Sequence, residues 1–144
     1  MSMIILLPNL LVLFFPPLKI PENMSETHIL VTILERVGQI GCFVLPILLG
    51  KTLSKLNINY FAIGMVVCVL IYYGCWVRFF FCGRDFYLLF KPLGIILIPM
   101  AIAPLLYFCF LTLWTKSYLL GVSTIVFAVG HLINSYNTYS TIFK

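Results

Sequence analysis

Apolar residues fill long stretches of the chain, and short polar segments separate these stretches. The apolar stretches are residues 28–50, 60–81, 92–114 and 117–136. Each approaches the roughly 20 residues that an α-helix needs to cross the hydrocarbon core of a bilayer. Short connections make consecutive helices antiparallel. The pattern therefore predicts an all-α, polytopic membrane helix bundle with four transmembrane helices, forming a single integral membrane domain over residues 1–144.

The N-terminal segment MIILLPNLLVLFFPPL (3–18) is apolar but short, and Pro8, Pro16 and Pro17 interrupt it. It lacks the basic start and the small-residue cleavage site of a signal peptide. Two interpretations remain open: a short fifth span, or a hydrophobic segment that lies against the bundle. We favour the span, with the proline pair ending its helix.

Composition supports a lipid-facing surface. The chain is 62% hydrophobic and only 9% charged, whereas a soluble domain carries roughly 25% charged residues. The net charge of +5 therefore does not indicate nucleic-acid binding, because Lys and Arg in membrane proteins mark cytoplasmic loops and contact anionic headgroups. The five cysteines form no CxxC pair, and we interpret them as small core residues.

The predicted spans divide the loops between two sides of the membrane. We call side A the side that holds loops 16–27 and 82–91 and the C-terminus, and side B the opposite side. The cations of side A are Lys19, Arg78, Arg84, Lys91 and Lys144, and those of side B are Lys51, Lys55 and Lys116. The positive-inside rule then predicts a multi-pass protein of the cell (plasma) membrane with side A in the cytoplasm.

Polar residues follow a helical stripe in two of the predicted spans. In the first span the stripe is His28, Thr32, Glu35, Gln39, Cys42 and Pro46, and in the last it is Ser117, Gly121, Thr124, Ala128, His131, Ser135 and Thr138. Steps that alternate between four and three residues keep a stripe on one helix face. Because unpaired polar groups are costly in hydrocarbon, these faces are predicted to meet protein or enclosed water.

Alternating helix direction brings the ionisable residues together near side A. We expect the partners of Glu35 to be Arg78 and His131, with Arg36 and Gln39 as local alternatives. Intramembrane ionisable residues are often functional, although a structural network that fixes helix register would need the same groups. The candidate ligand-binding residues are Glu35, Arg36, Gln39, Arg78, Arg84, His131 and Asn134.

Loop 82–91 mixes charged residues with aromatic and leucine residues. Such a segment could form a roof over the side A cluster, but an ordinary connection skimming the membrane surface is the favoured interpretation.

No sequence motif identifies a reaction, a cofactor or a metal site. The leading hypothesis is a membrane protein that binds or transports a small polar or anionic ligand through the side A cluster. The alternatives are a membrane-embedded enzyme acting on lipid headgroups or lipid-linked substrates, and a non-catalytic accessory or immunity-type protein. The bilayer, with anionic lipids, is the expected partner, and a homodimer or another membrane subunit is a further expectation because so few helices enclose little volume.

Overall fold

The computed structural model describes residues 4–5, 7–18, 20, 27–53, 57–94 and 96–143, without the side chains of residues 51 and 52. Within these ranges the protein is helical and contains no strand. In chain order the elements are α1 (Leu7–Phe14), α2 (Ile29–Leu48), α3 (Gly50–Leu53), α4 (Tyr60–Phe81), a 3-10 helix (Phe86–Leu89), α5 (Pro99–Thr115) and α6 (Tyr118–Phe143). The predicted all-α class is thus confirmed.

Three of the described helices, α2, α4 and α6, are long and apolar enough to cross a membrane. Helix α5 is also apolar but has 17 residues, or about 26 Å at 1.5 Å per residue. These helices support the prediction of a membrane protein at the level of length and composition. Some of the cationic residues on which the predicted orientation depends lie outside the described residues. These are Lys19, Lys55 and Lys144, together with the side chain of Lys51.

Local sequence signals explain where the helices begin and end. Helix α4 has the predicted bounds because Asn59 caps it, accepting hydrogen bonds from the backbone N–H groups of Phe61 and Ala62 at 3.1 and 3.2 Å. Helix α5 begins at Pro99 and not at residue 92, because a turn with Gly94 at φ +59° precedes it and proline favours the first helical position. Helix α6 continues to Phe143, beyond the predicted end at residue 136.

The helices form two antiparallel pairs, α2 with α6 and α4 with α5. Contacts between α5 and α6 join the two pairs. Aromatic side chains connect the pairs at the centre. The Phe108 ring of α5 meets Phe43 of α2 and Phe127 of α6 edge to face, at centroid distances of 5.3 and 6.1 Å. The core therefore lies between the two pairs.

The cysteines agree only in part with their interpretation as core residues. Cys42, Cys68 and Cys75 are buried, but Cys82 and Cys109 are exposed, and all five are free thiols. The two exposed residues correct the prediction. Cys82 is the C-terminal cap of α4, whereas Cys109 lies within α5.

Helix α1 is a short element packed along α4. Its eight residues reach about 12 Å, well below the thickness of a bilayer core. The Tyr72 hydroxyl donates to Asn9 Oδ1 at 2.9 Å, and the Tyr73 hydroxyl donates to the carbonyl of Ile4 at 2.7 Å. The described residues of segment 3–18 thus contact α4, and α1 is not among the helices that are long enough to cross a membrane.

Candidate functional site

Glycines allow α2 and α6 to cross in backbone contact. A Cβ atom added to Gly38 would lie 2.2 Å from the backbone nitrogen of Phe127, and one added to Gly130 would lie 2.5 Å from the backbone nitrogen of Glu35. Side chains at either position would force the helices apart. This close crossing brings the polar residues of the two helices within hydrogen-bonding distance.

Glu35 is the centre of a polar network at this crossing. Its Oε1 atom lies 2.6 Å from His131 Nδ1, and its Oε2 atom accepts a hydrogen bond from Asn134 Nδ2 at 2.8 Å. The Thr27 hydroxyl donates to Asn134 Oδ1 at 2.7 Å. Both carboxylate oxygens are therefore satisfied, and the expected pairing of Glu35 with His131 is confirmed.

The network also orients the imidazole of His131. With Glu35 ionised and the imidazole neutral, Nδ1 carries the proton and donates a hydrogen bond to the carboxylate, so Nε2 is the unprotonated ring nitrogen. The ring also stacks on Phe127 at a centroid distance of 4.9 Å. The side chains of Glu35 and His131 are 16% and 22% exposed, respectively. Glu35 thus fixes the imidazole through Nδ1, and Phe127 packs against one face of the ring. Among the described residues, Nε2 has no hydrogen-bond partner.

The predicted arginines are not hydrogen-bonded to Glu35 in the described part of the chain. Arg78 donates to the carbonyls of Leu88 and Lys91, both at 3.0 Å. Its expected pairing with Glu35 was wrong, because these carbonyls around the 3-10 helix are available as acceptors near the end of α4. The two other arginines also lie elsewhere: exposed Arg36 donates to Gln39 at 3.4 Å, and Arg84 lies over the ring of Phe15 at 5.9 Å.

A cavity of about 270 Å³ lies between the two helix pairs. Its wall is mainly apolar and aromatic. The lining residues with polar side-chain atoms are Asn9, Gln39, Tyr72, Trp76, His131 and Ser135. Leu89 and Phe90 also line it, so loop 82–91 contributes to the roof and is not merely a connection along the membrane surface.

The cavity separates the predicted site residues into three groups. Gln39 and His131 line it, while Glu35 binds His131 and Asn134 binds Glu35, both without being part of the lining. Arg36, Arg78 and Arg84 are outside the lining. No Lys or Arg contributes to this wall among the described residues, so the cavity suits an uncharged ligand better than an anionic one.

Sequence reasoning missed the contribution of α1 and α4 to the cavity. Tyr72 and Trp76 fit an aromatic belt at the membrane surface equally well, yet both are buried here. Their spacing of four residues on α4 was a usable signal, since it places them on one helix face.

Comparisons of the chain with protein families, with curated proteins and with solved structures found no match. Within the described residues, no group of three or more His, Cys, Asp or Glu side chains could hold a metal ion. The geometry of the cavity is therefore the main indication of function.

Proposed function

We propose that the chain is a small multi-pass protein of the cell membrane that binds a small, mainly apolar ligand in the cavity between its two helix pairs. The observation that carries this proposal is the presence of His131, fixed by Glu35, in the wall of a cavity of about 270 Å³. Ligand sites are typically apolar concavities with a few polar groups that orient the ligand. In this proposal α2, α4, α5 and α6 all cross the bilayer, and side A faces the cytoplasm.

The proposed ligand differs in chemical class from the polar or anionic ligand that the sequence predicts, because it is uncharged and mainly apolar. An anion buried in a mainly apolar wall would require a cationic partner, and the nearest candidates are the arginines outside the lining. A ligand with one hydrogen-bonding group and an apolar body can pack against the same wall without the free-energy cost of burying an unpaired charge. Transport of this ligand is an extension of the binding proposal and needs a separate uptake measurement.

A cavity-filling substitution tests the proposal. Ala101 lines the cavity and is buried, whereas Leu106 on the same helix is exposed. The protein purified from its own membranes should carry a small-molecule adduct in native mass spectrometry. Ala101→Phe should lose this adduct and Leu106→Phe should keep it. Thermal unfolding of both variants identifies any general loss of structure.

The result that contradicts the proposal is a wild-type protein without an adduct, or an adduct retained in Ala101→Phe at the wild-type level. If Ala101→Phe unfolds, Met100→Trp provides a second way to fill the cavity, because Met100 also lines it and is only partly buried.

A second candidate function is a membrane-embedded enzyme acting on lipid-derived substrates. Ser135 lies one helical turn beyond His131 and lines the same cavity, so an imidazole and a hydroxyl face one space, and the Glu35 carboxylate binds the imidazole from outside it. This is the set used in nucleophilic or acid–base catalysis. The described residues show no hydrogen bond between His131 and Ser135, and the binding proposal therefore takes precedence.

Lipid extracts separate these two functions. For an enzyme, incubation with the wild-type protein should produce a changed lipid species, and both His131→Gln and Ser135→Ala should abolish it. For a binding protein, the extract should be chemically unchanged. Tyr118→Phe, at an exposed position distant from the cavity, is the matched control.

A further inference from the structure

Ser135 carries a hydroxyl group that the described part of the fold does not use. The residue lines the cavity and is only 8% exposed, and its oxygen has no hydrogen-bond partner among the described residues. All other serine and threonine residues of α6 donate to a backbone carbonyl three or four residues earlier. These are Ser123, Thr124, Thr138, Ser140 and Thr141. Ser135 therefore retains a hydroxyl that can bind a molecule in the cavity.

His131 carries a second unused group, one helical turn from Ser135. Its Nδ1 atom is bound to Glu35, and one face of its ring packs on Phe127. Its Nε2 atom has no partner among the described residues and is not fully buried. Residues four apart on a helix have Cβ atoms about 5–6 Å apart, and a hydrogen bond spans about 2.7–3.0 Å between heavy atoms. One oxygen atom in the cavity can therefore bind both side chains.

Leaving both groups without a partner costs free energy, because a buried polar group that makes no hydrogen bond loses its hydration. The hydrocarbon around the bundle offers neither group a replacement. An alanine at position 135 would keep the helix without this cost. The pair of unused groups is therefore better explained by a bound molecule than by packing.

We infer that the cavity binds an uncharged alcohol or phenol, whose hydroxyl group lies between His131 Nε2 and Ser135 Oγ. This inference rests on the proposed binding function and names the chemical class of its ligand. With the imidazole neutral and Nδ1 donating to Glu35, Nε2 is an acceptor, so a carbonyl, ester or ether cannot pair with it. A hydroxyl donates to Nε2, and its oxygen also accepts from Ser135.

The rest of the wall favours an uncharged ligand with an apolar body. Among the described residues, no Lys, Arg, Asp or Glu lines the cavity, so a charged amine or carboxylate would be buried there without a counter-ion. Phe43, Phe108 and Phe127 line it, and contacts with such rings favour a flat, apolar body. Because such a molecule partitions from water into hydrocarbon, the bilayer supplies it.

Two probe molecules of nearly equal shape test the inference. In 2-naphthol a hydroxyl occupies the position that a methyl group occupies in 2-methylnaphthalene. Isothermal titration calorimetry of the detergent-solubilised protein gives both affinities, after subtraction of a titration into empty micelles. The wild-type protein should bind 2-naphthol about three- to tenfold more tightly, the equivalent of one net hydrogen bond. Ala101→Phe should weaken the binding of both probes, because it fills the cavity.

The ratio of the two affinities is the decisive measurement in the variants. Ser135→Ala removes one of the two groups, and His131→Phe removes the other while keeping a ring beside Phe127. Each should bring the ratio towards one, because 2-naphthol loses a hydrogen bond that 2-methylnaphthalene never makes. Ser140→Ala is the matched control, since the Ser140 hydroxyl donates to the carbonyl of Asn137 and does not line the cavity. A loss of structure alone would weaken both probes together and leave the ratio unchanged.

The outcomes separate the inference from the proposed function. Equal affinities of the wild-type protein for the two probes, or a preference that both variants retain, would overturn the inference while cavity binding stands. A native adduct that contains no hydroxyl group would do the same. If neither probe binds the wild-type protein, the inference is wrong, and the presence or absence of a native adduct decides the proposed function. If His131→Phe unfolds, Ser135→Ala and the wild-type preference decide the question.

Discussion

At the scale of single residues, the central feature is a carboxylate on α2 that accepts hydrogen bonds from two side chains of α6. Glu35 accepts from His131 and Asn134, and neither donor is fully exposed. In water such a pair would contribute little. Inside a membrane-spanning bundle, water competes less for the same groups, but an unfolded chain in lipid also finds partners, so the net coupling is modest.

A double-mutant cycle measures this coupling. Glu35→Gln and His131→Asn should each destabilise the protein, and the double variant should be less destabilised than the sum, with a coupling free energy of about 1 kcal/mol. Equilibrium unfolding in mixed detergent micelles provides the free energies. Additive effects would show that the two side chains do not stabilise each other.

The residue scale also shows where sequence reasoning succeeds. The steps of four and three residues predict that Glu35 and His131 face each other across two helices. They do not predict that loop carbonyls capture Arg78, because acceptor positions in an irregular segment depend on backbone turns that periodicity does not encode. Burial of Trp76 was missed for a related reason: whether an aromatic residue near a span end is buried depends on which elements cover it, and helical periodicity does not encode this.

At the scale of elements, the α2–α6 crossing depends on glycine. Gly38→Ala should destabilise the helix pair by about 1–3 kcal/mol, as expected for overpacking, because the new methyl group would meet the backbone of Phe127. Gly74→Ala is the matched control, since nothing lies within 4 Å of an added Cβ there. It should leave stability unchanged or raise it by up to about 1 kcal/mol. Unfolding in mixed micelles distinguishes the two; similar effects would contradict backbone contact at the crossing.

Helix α1 contributes Asn9 to the cavity wall, and Ile5, which precedes the helix, also lines it. The Tyr72 hydroxyl of α4 holds α1 through Asn9. Tyr72→Phe removes the hydrogen bond to Asn9 and should loosen α1 by about 1 kcal/mol. Hydrogen exchange should then rise in residues 7–14 and stay constant in α5. Tyr60→Phe, on the same helix but 89% exposed, should leave exchange unchanged. Protection of α1 equal to that of the wild type would show that apolar packing alone holds this helix.

The bounds of the elements follow from sequence to different degrees. Asn59 fixes the start of α4 because its side chain caps the helix, and that signal is local. No comparable local signal was used for the start of α5. Residues 92–98 are apolar enough for a span, but the backbone turns at Gly94 before the helix begins at Pro99. Hydropathy records how apolar a segment is and not whether its backbone is helical, so the predicted span began seven residues too early.

At the scale of the whole molecule, the open question is whether the 17 residues of α5 cross the bilayer. If α4, α5 and α6 all cross, the two ends of α5 lie in different aqueous compartments. Cys82, an exposed cysteine after α4, then belongs to side A, and Ser117, between α5 and α6, belongs to side B. A contact at one end agrees with this arrangement: the Phe143 ring of α6 packs on the Tyr87 ring at a centroid distance of 5.9 Å, so the C-terminal end of α6 lies beside the 3-10 helix.

Cysteine labelling of intact cells tests this arrangement. Ser117→Cys is close in size to the native residue and retains Lys116, so the charge balance between the sides is unchanged. A membrane-impermeant maleimide should label Ser117→Cys in intact cells, and Cys82 only after permeabilisation, because the positive-inside rule predicts that side A faces the cytoplasm. Cys82→Ser identifies the second signal. The reverse pattern would invert the orientation but still require α5 to cross. Labelling of both positions from one side would show that α5 is re-entrant, and the cavity would then belong to a bundle of three spans.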